Sequence, residues 1–294
     1  MHARAYRRII LGRRLPCFGP ETGLPMLLQT FTAGALPASK LDAELALGRA
    51  LFHDAANPRL SQRGMSCSNC HVDGREDGLV WEQNATLRQT PMLAGGRLAE
   101  TAPYNWQGSA HSLEENITQT VQQRLSGAGL TELELAALSR YVREGLRPVA
   151  RPAARDLQLV ERGREVFSSA QTGCVSCHPA DFAFTDGEAH DVKSVSTEER
   201  ASFEQTHGVP SQLEGFSKRM SRAMQIPVLP RVPRVPTRFD TPALAFLSLT
   251  APYLHDGSAR TLGDLVEHNS DKMGTTSQLT PREKEALVAY LESL

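Results

Sequence analysis

The clearest pattern of apolar and polar positions lies at the C-terminus of the chain and predicts a helix there. Thr280 is suited to cap this helix, because Pro281 follows at the first helical position and Glu283 completes a capping box. The apolar residues of one face then follow at helical spacing: Leu287, Val288, Leu291 and Leu294.

A second helix with the same type of capping box is predicted near the middle of the chain. Thr131 and Glu134 form the same capping pair. An earlier helix is expected over residues 45–52, and no strand pattern of any length is visible. We therefore predict an all-α fold with long loops. The apolar face of the middle helix consists of Leu138, Tyr141 and Val142.

The chain repeats itself at a fixed displacement. Residues 101–104 (TAPY) recur at 250–253, which is 149 residues later. Residues 108–110 (GSA) recur at 257–259 with the same displacement. This repetition predicts two homologous segments. Further equivalent pairs are Gly48 with Gly163 and Asp77 with Asp186.

The repeat leads to a domain division. We predict two tandem homologous domains, at residues 42–147 and 157–294, joined by a proline-interrupted linker at 148–156. Residues 1–41 are expected to form a poorly ordered leader or the remnant of an upstream segment. The second domain carries an insertion from about residue 192 to 240, whose prolines at three-residue spacing favour an extended polyproline-type segment.

The motif C-x-x-C-H occurs once in each predicted domain and uses four of the five cysteines. Two thiols at this spacing can reach the two vinyl groups of one porphyrin, and the adjacent histidine can serve as the proximal ligand of its iron. Two covalently bound haem c groups, one in each cytochrome c-type domain, are therefore predicted. The residues that would hold them are Cys67, Cys70, His71, Cys174, Cys177 and His178.

The cysteines are open to two other interpretations. A Cys₄ zinc site would use both C-x-x-C pairs, but more than a hundred residues separate them. Redox-active C-x-x-C disulfides are the second alternative. Neither explains why a histidine follows both pairs, so we favour haem.

Composition and charge exclude some classes of protein. The 294 residues carry a net charge of −1, which gives no basic excess for nucleic acid. No apolar run approaches the ~18–20 residues of a membrane span. The basic N-terminus has an apolar stretch of only residues 9–12, shorter than the ~7–15 residues of a signal peptide core. We expect either an upstream start or a longer polypeptide.

Four further segments carry a family resemblance: residues 88–91, 104–108, 184–187 (FTDG) and 250–257 (TAPYLHDG). With the paired motifs, they resemble bacterial di-haem cytochrome c peroxidases and MauG-like proteins. The resemblance implies a periplasmic enzyme whose N-terminal haem meets hydrogen peroxide while its C-terminal haem relays electrons. It implies a small donor protein, either a cytochrome c or a cupredoxin, and it allows a homodimer. Trp106 stands where the family places a tryptophan between the haems; packing is the alternative role.

The sixth ligand of the second iron is sought before the C-terminal helix. Met273 precedes Gly274 in the loop that leads there, and a thioether ligand at this place suits electron transfer. His268 and Asn269 are rivals, and the distal ligand of the family would fall at Asn269. Alternatively, Met273 packs against the haem edge.

The first domain has no matching methionine. The displacement of 149 residues puts Arg124 opposite Met273. Arginine does not ligate iron, so we predict an open position where a nearby cation could polarise peroxide. A surface role near a propionate is the favoured alternative for Arg124, and His111 is a second candidate distal residue. The family's distal glutamate has no counterpart in residues 122–127.

The resemblance also implies one calcium ion between the domains. Its ligands would be Gln89, Thr250 and Pro252, where glutamine replaces the family's asparagine. His190 is expected either to bond a propionate or to be a buried structural residue. A pure electron carrier, a MauG-like oxidase of a protein residue and a haem module of a larger assembly are the competing functions.

Overall fold

The computed structural model describes residues 17–18, 25–26, 42–83, 85–94, 98, 101–146, 156–180, 183–207 and 234–294. Contacts divide the chain into residues 1–40 and 41–294. In the first unit, β1 (Cys17–Phe18) pairs antiparallel with β2 (Pro25–Met26). The rest of the predicted leader, all of the linker except Asp156, and most of the proline-rich insertion lie outside the described residues.

Helices dominate the second unit, and the three predicted from the sequence are confirmed. Thr280 and Thr131 cap their helices through the predicted boxes with Glu283 and Glu134. The helices are α1 (Ala43–His53), α2 (Cys67–Cys70), α3 (Leu113–Gln119), α4 (Glu132–Arg140), α5 (Leu157–Ser168), α6 (Thr197–His207), α7 (Leu262–Glu267) and α8 (Pro281–Ser293). Wider π-helical turns follow α3 at Thr120–Arg124 and α4 at Tyr141–Gly145.

Two helix pairs cross closely at equivalent glycines. Helix α1 packs on α4, and α5 packs on α8. A Cβ on Gly48 would lie 2.0 Å from the Ala137 carbonyl oxygen, and one on Gly163 would lie 1.9 Å from that of Ala286. The repeated glycine is therefore required by backbone contact, because any side chain would push the helices apart.

Short strands correct the prediction that the chain has no strands. A hairpin pairs β3 (Val80–Gln83) with β4 (Thr86–Gln89), and β5 (Ala189–His190) pairs with β6 (Phe239–Asp240). About 45% of the chain is helical. Strands of two to four residues are too short to show an alternating pattern, which is why the sequence did not reveal them.

Buried apolar side chains form two main clusters that follow the repeat. One comprises residues between 51 and 146, with Phe52 and Leu138 fully buried. The other comprises residues between 166 and 294. The division into two tandem domains stays a prediction, because residues 41–294 form one compact unit.

The duplicated TAPY segments adopt the same local structure. Tyr104 bridges to Ala110 and Tyr253 bridges to Ala259. The two tyrosine hydroxyls donate to the carbonyls of Leu98 and Leu247, at 3.0 and 3.1 Å. Both segments also contain a cis Ala–Pro bond.

Within the described ranges, every helix falls short of the length and apolarity needed to cross a bilayer.

Candidate functional site

The first C-x-x-C-H motif lies on one helical turn. The Ser66 backbone N–H donates to the Asn69 side chain at 2.7 Å, and His71 N–H closes the turn on the Cys67 carbonyl at 2.9 Å. Thiols three positions apart therefore lie on the same side of α2. Burial raises the pKa of Cys67 to about 11, so this thiol is neutral in the unmodified chain.

The second motif reaches a similar arrangement through a tighter turn. Gly173 has a φ of 70°, and a 3₁₀ turn spans Cys174–Ser176. The His178 N–H then donates to the Cys174 carbonyl at 3.0 Å. A glycine is well suited to this position, because a positive φ is unfavourable for residues with a Cβ.

The two histidine rings differ in what holds them. His178 Nδ1 lies 2.6 Å from the Phe184 carbonyl oxygen, to which it donates as the N–H tautomer. The Nδ1 of His71 is buried and has no hydrogen bond of normal geometry to any described residue. Burial lowers the pKa of His71 to about 4, although the nearby carbonyls of Arg75 and Pro91 oppose that shift. Burial lowers the pKa of His178 as well.

One cavity of about 640 Å³ connects the two motifs. Its walls include His71, Trp106, Cys174 and His178. The residues present fit haem c: each motif offers two thiols and an imidazole whose pKa is lowered, and the Nδ1–H of His178 is already bonded, which leaves its Nε2 to face a metal. Residues 67–71 and 174–178 would hold the two groups.

Met273 and its rivals lie close together in the loop before α8. The Asn269 amide Nδ2 donates to the Gly274 carbonyl at 2.8 Å, while its Oδ1 accepts from Met273 N–H at 2.8 Å. The Asn269 side chain therefore stabilises the loop through hydrogen bonds to its backbone. His268 Nδ1 faces the Asp264 carbonyl at 2.9 Å. Met273 lies in the cavity wall, and its role as an iron ligand stays a prediction.

Arg124 also lines the cavity, at the end of the π-helical turn after α3. Burial, together with the positive charge of Arg88, lowers the pKa of Arg124. Its charge acts on Cys70 and His71 of the first motif. The structure thus brings Arg124 to the first motif. His111 is exposed, and its backbone N–H donates to Glu115.

Trp106 lies in a cluster of three rings. Phe239 and His255 stack with centroids 4.1 Å apart and an interplanar angle of 17°. The Trp106 ring meets both edge-on, at 6.3 Å from Phe239 and 6.4 Å from His255. All three side chains line the cavity, so the repeat partners Trp106 and His255 meet at one place.

The backbone of Gln89 joins these two repeat partners. Its N–H donates to the His255 carbonyl at 2.7 Å, and its carbonyl accepts from the Trp106 indole N–H at 2.8 Å. Asp240 makes the mirrored contact, because its N–H donates to the Trp106 carbonyl at 2.9 Å. The duplication is thus expressed as paired backbone contacts around the rings.

The residues predicted to bind calcium come together only in part. The Gln89 amide Nε2 lies 3.5 Å from the Thr250 carbonyl oxygen, and Pro252 lines the same cavity. In this orientation the amide presents a donor to Thr250, whereas calcium requires oxygen from both groups. Calcium stays a prediction. His190 bonds Asp186 at 2.8 Å and is half-buried in the cavity wall.

A buried charged network behind the rings was missed from the sequence. Glu199 Oε1 accepts from Arg88 at 3.0 Å, and Oε2 lies 2.8 Å from His255 Nε2. Arg88, Glu199 and His255 are only 4%, 4% and 1% exposed. Glu199 lies in the predicted insertion, where nothing in the local sequence distinguishes it from the acidic residues around it.

Comparison with known proteins agrees with this arrangement. The family profile of di-haem cytochrome c peroxidases matches residues 42–144. Hydrazine synthase subunit gamma of Kuenenia stuttgartiensis is 28% identical, over 84% of this chain and 76% of that protein. The methylamine utilization protein MauG of Methylophilus methylotrophus is also 28% identical, over 84% and 81%.

Two further matches extend over almost the whole chain. Cytochrome-c peroxidase IdrP2 of Denitromonas iodatirespirans is 27% identical, over 96% of this chain and 92% of that protein. A chain of the hydrazine synthase structure from Kuenenia stuttgartiensis shares the fold, with a TM-score of 0.66 at 24% identity and full coverage of both chains. Residues 42–144 thus match the di-haem cytochrome c peroxidase family, and the chain resembles both cytochrome c peroxidases and MauG proteins.

Proposed function

We propose that this chain is a di-haem c-type cytochrome that reduces hydrogen peroxide to water. The reaction consumes one peroxide, two electrons and two protons and yields two waters. A small donor protein, either a cytochrome c or a cupredoxin, would supply the electrons at the His178 site, from which they pass to the His71 site. The observation that carries this proposal is that both motif histidines line one cavity with Trp106.

Haem iron, when bound, supplies the redox chemistry and the coordination position for peroxide. The chain would hold each group through two thiols and one imidazole. Met273 lies in the cavity wall and is the candidate sixth ligand beside the second motif. Arg124 lies at the corresponding place near the first motif and leaves a position open there, because a guanidinium does not ligate iron. This asymmetry supports peroxide binding at the first site.

Arg124 also suits the handling of charge at that site. A cation in a desolvated cavity stabilises negative charge that develops on a bound oxygen. We therefore propose that Arg124 polarises the O–O bond, and a glutamate acid in residues 122–127 is not required for that step. The protons then come from another group or from water.

The relatives favour a second candidate, oxidation of a protein residue as in MauG-like proteins. In that reaction a protein substrate supplies the two electrons in place of the small donor. Similarity to MauG over 84% of the chain supports this candidate. A non-catalytic electron carrier remains the third, and it requires both irons to be six-coordinate.

Location and partners follow from the same proposal. Covalent attachment of haem c takes place outside the cytoplasm, so we propose that the protein acts in the periplasm. Gln89, Thr250 and Pro252 are proposed to bind calcium after the Gln89 amide rotates to present its oxygen. A homodimer is compatible with the family relationship.

The test is a spectrum of the purified di-haem protein, followed by a turnover assay. We expect a high-spin signal in the oxidised or half-reduced protein that shifts when peroxide is added, with peroxide-dependent oxidation of a reduced small cytochrome c. Arg124→Ala is expected to slow turnover by roughly 10²–10³-fold. If both haems are low-spin and their spectra do not change with peroxide in any redox state, the enzyme proposals are excluded and the protein is an electron carrier.

A further inference from the structure

Glu199 is a buried carboxylate with contacts that neither packing nor the haem motifs explain. It lies on the first turn of α6, where its backbone N–H donates to the Ser196 hydroxyl at 3.0 Å. A carboxylate near the start of a helix is favoured by the helix dipole. Glu199 is only 4% exposed. An anion buried this deeply needs several partners.

Among the described residues, the Glu199 carboxylate contacts His255 of the ring cluster and two groups of strand β4. Oε1 accepts from Arg88 Nη1 at 3.0 Å and from Leu87 N–H at 3.2 Å. Oε2 lies 2.8 Å from His255 Nε2. Burial by itself raises the pKa of Glu199, but His255, Leu87 and Arg88 outweigh it and leave the pKa lowered. The carboxylate is thus charged and can only accept hydrogen bonds.

These contacts fix the His255 ring. Because a carboxylate only accepts, Nε2 must carry a proton. Nδ1 lies 3.2 Å from the Ser194 hydroxyl, which can donate to it. Both ring nitrogens are therefore engaged, and the ring is held in one orientation. That orientation is the one that stacks on Phe239 and meets Trp106 at 6.4 Å.

Glu199 also neutralises a charge that faces the same rings. The Arg88 guanidinium carbon lies 5.2 Å from the centroid of the Phe239 ring. Without the carboxylate, this buried cation would lack its anionic partner, and it would disfavour any positive charge that passes through Trp106. Orientation and charge therefore act in the same direction.

We propose that Glu199 is a positioning residue for electron transfer between the two haem sites, acting through the orientation of His255 and the charge of Arg88. The proposal rests on the proposed function only in requiring two bound haems. It assigns a role to the insertion, because α6 lies within it. Electronic coupling falls steeply when rings lose contact, so a small rotation of His255 lowers the rate.

The test measures inter-haem electron transfer directly, without peroxide. One electron is injected by flash reduction into the oxidised di-haem protein, and its redistribution is followed by absorbance. Glu199→Gln keeps the shape and removes the charge; Glu199→Ala removes both. Glu198→Gln, an exposed neighbour on the same turn, is the matched control. Haem content and both reduction potentials are measured for each variant.

The expected result is a graded loss of rate with two haems retained. Glu199→Ala should slow redistribution by roughly ten-fold or more, because misplacement of a positioned group by ~1 Å can cost ~10²-fold in rate. The rate in Glu199→Gln should lie between the rates of Glu199→Ala and wild type. Glu199→Asp should recover part of the rate that Glu199→Ala loses. Glu198→Gln should match wild type.

Other results overturn the proposal. An unchanged rate in Glu199→Gln and Glu199→Ala with both haems bound would remove any positioning role. If Glu199→Ala does not fold, the near-isosteric Glu199→Gln decides alone. A loss of rate explained fully by shifted potentials would also contradict the proposal. Failure of the proposed peroxidase function is recognised separately, because wild type would then transfer electrons between haems without consuming peroxide.

Discussion

The two C-x-x-C-H motifs have the same sequence pattern but hold their histidines differently. His178 is anchored by the Phe184 carbonyl, whereas the Nδ1 of His71 is buried without a hydrogen bond of normal geometry in the described chain. His71 is six positions before Asp77, while His178 is eight before the equivalent Asp186. The longer loop lets the second motif bring a carbonyl onto its ring.

That difference would affect the iron that each imidazole would bind. A hydrogen bond from Nδ1–H to a carbonyl makes the imidazole a stronger donor and fixes its orientation. Phe184 delivers this carbonyl from a positive φ of 59°, and its ring packs on Phe167 at 6.1 Å. The second site is thus the more constrained of the two. This difference agrees with the proposal that peroxide binds at the first site.

Removing the thiols of either motif should have the largest effect. In Cys67→Ser/Cys70→Ser and in Cys174→Ser/Cys177→Ser, covalent haem should fall from two groups per chain to one, because each thiol pair attaches its own group. The pyridine haemochrome assay on denatured protein measures the content. Cys17→Ser, outside both motifs, is the control. Loss of both haems in either double variant would show that the two attachments depend on each other.

The equivalent glycines test whether the two halves are packed alike. Gly48→Ala and Gly163→Ala should each lower the free energy of unfolding by about 1–3 kcal/mol, because the methyl group meets a carbonyl oxygen of the facing helix. Denaturation of the haem-loaded protein, followed by circular dichroism, measures this. Gly263→Ala is the control, since its nearest contact is 3.5 Å away. A cost at only one glycine would mean that the two crossings differ.

Met273 and Arg124 should affect different spectral features. Met273→Ala should abolish the weak red absorption of a methionine–Fe(III) bond, whereas Arg124→Ala should keep it and weaken the response to peroxide. The measurement is a visible spectrum of the oxidised protein with and without peroxide. An unchanged spectrum in Met273→Ala would exclude ligation by Met273.

Asp240 and its counterpart Gln89 should differ in pH dependence. Burial, with the negative charges of Asp186 and Glu188, raises the pKa of Asp240 to about 7. The native state therefore keeps a proton that the unfolded chain releases from about pH 4 upward, so Asp240 lowers stability as pH rises from about 4 to 7. Asp240→Asn should raise the melting temperature at pH 8 and change it little at pH 4.

The same melting experiment needs a neutral reference. Gln89→Asn leaves no titratable group at the equivalent position and should shift both temperatures equally. If Asp240→Asn has the same effect at both pH values, the carboxyl of Asp240 does not hold a proton at neutral pH.

The sequence predicts the local features of this fold, but it does not predict contacts between residues far apart in the chain. The haem motifs and the capped helices depend on residues three to five positions apart, so their patterns are visible directly. The hairpin at Val80–Gln89 has strands too short for periodicity. Arg88 and Glu199 are 111 positions apart, and His255 is 56 beyond Glu199. Such pairs cannot be recognised without the fold.

Local opening of the fold around the rings can be followed at one residue, Gln89. Its amide hydrogen is bonded to the His255 carbonyl, so it can exchange with deuterium only when that bond opens. The carbonyl oxygen of the same residue, which belongs to the next peptide plane, accepts from the Trp106 indole. Because one residue makes both contacts, the protection of this amide against exchange reports how firmly the backbone holds the His255 segment and the Trp106 ring together.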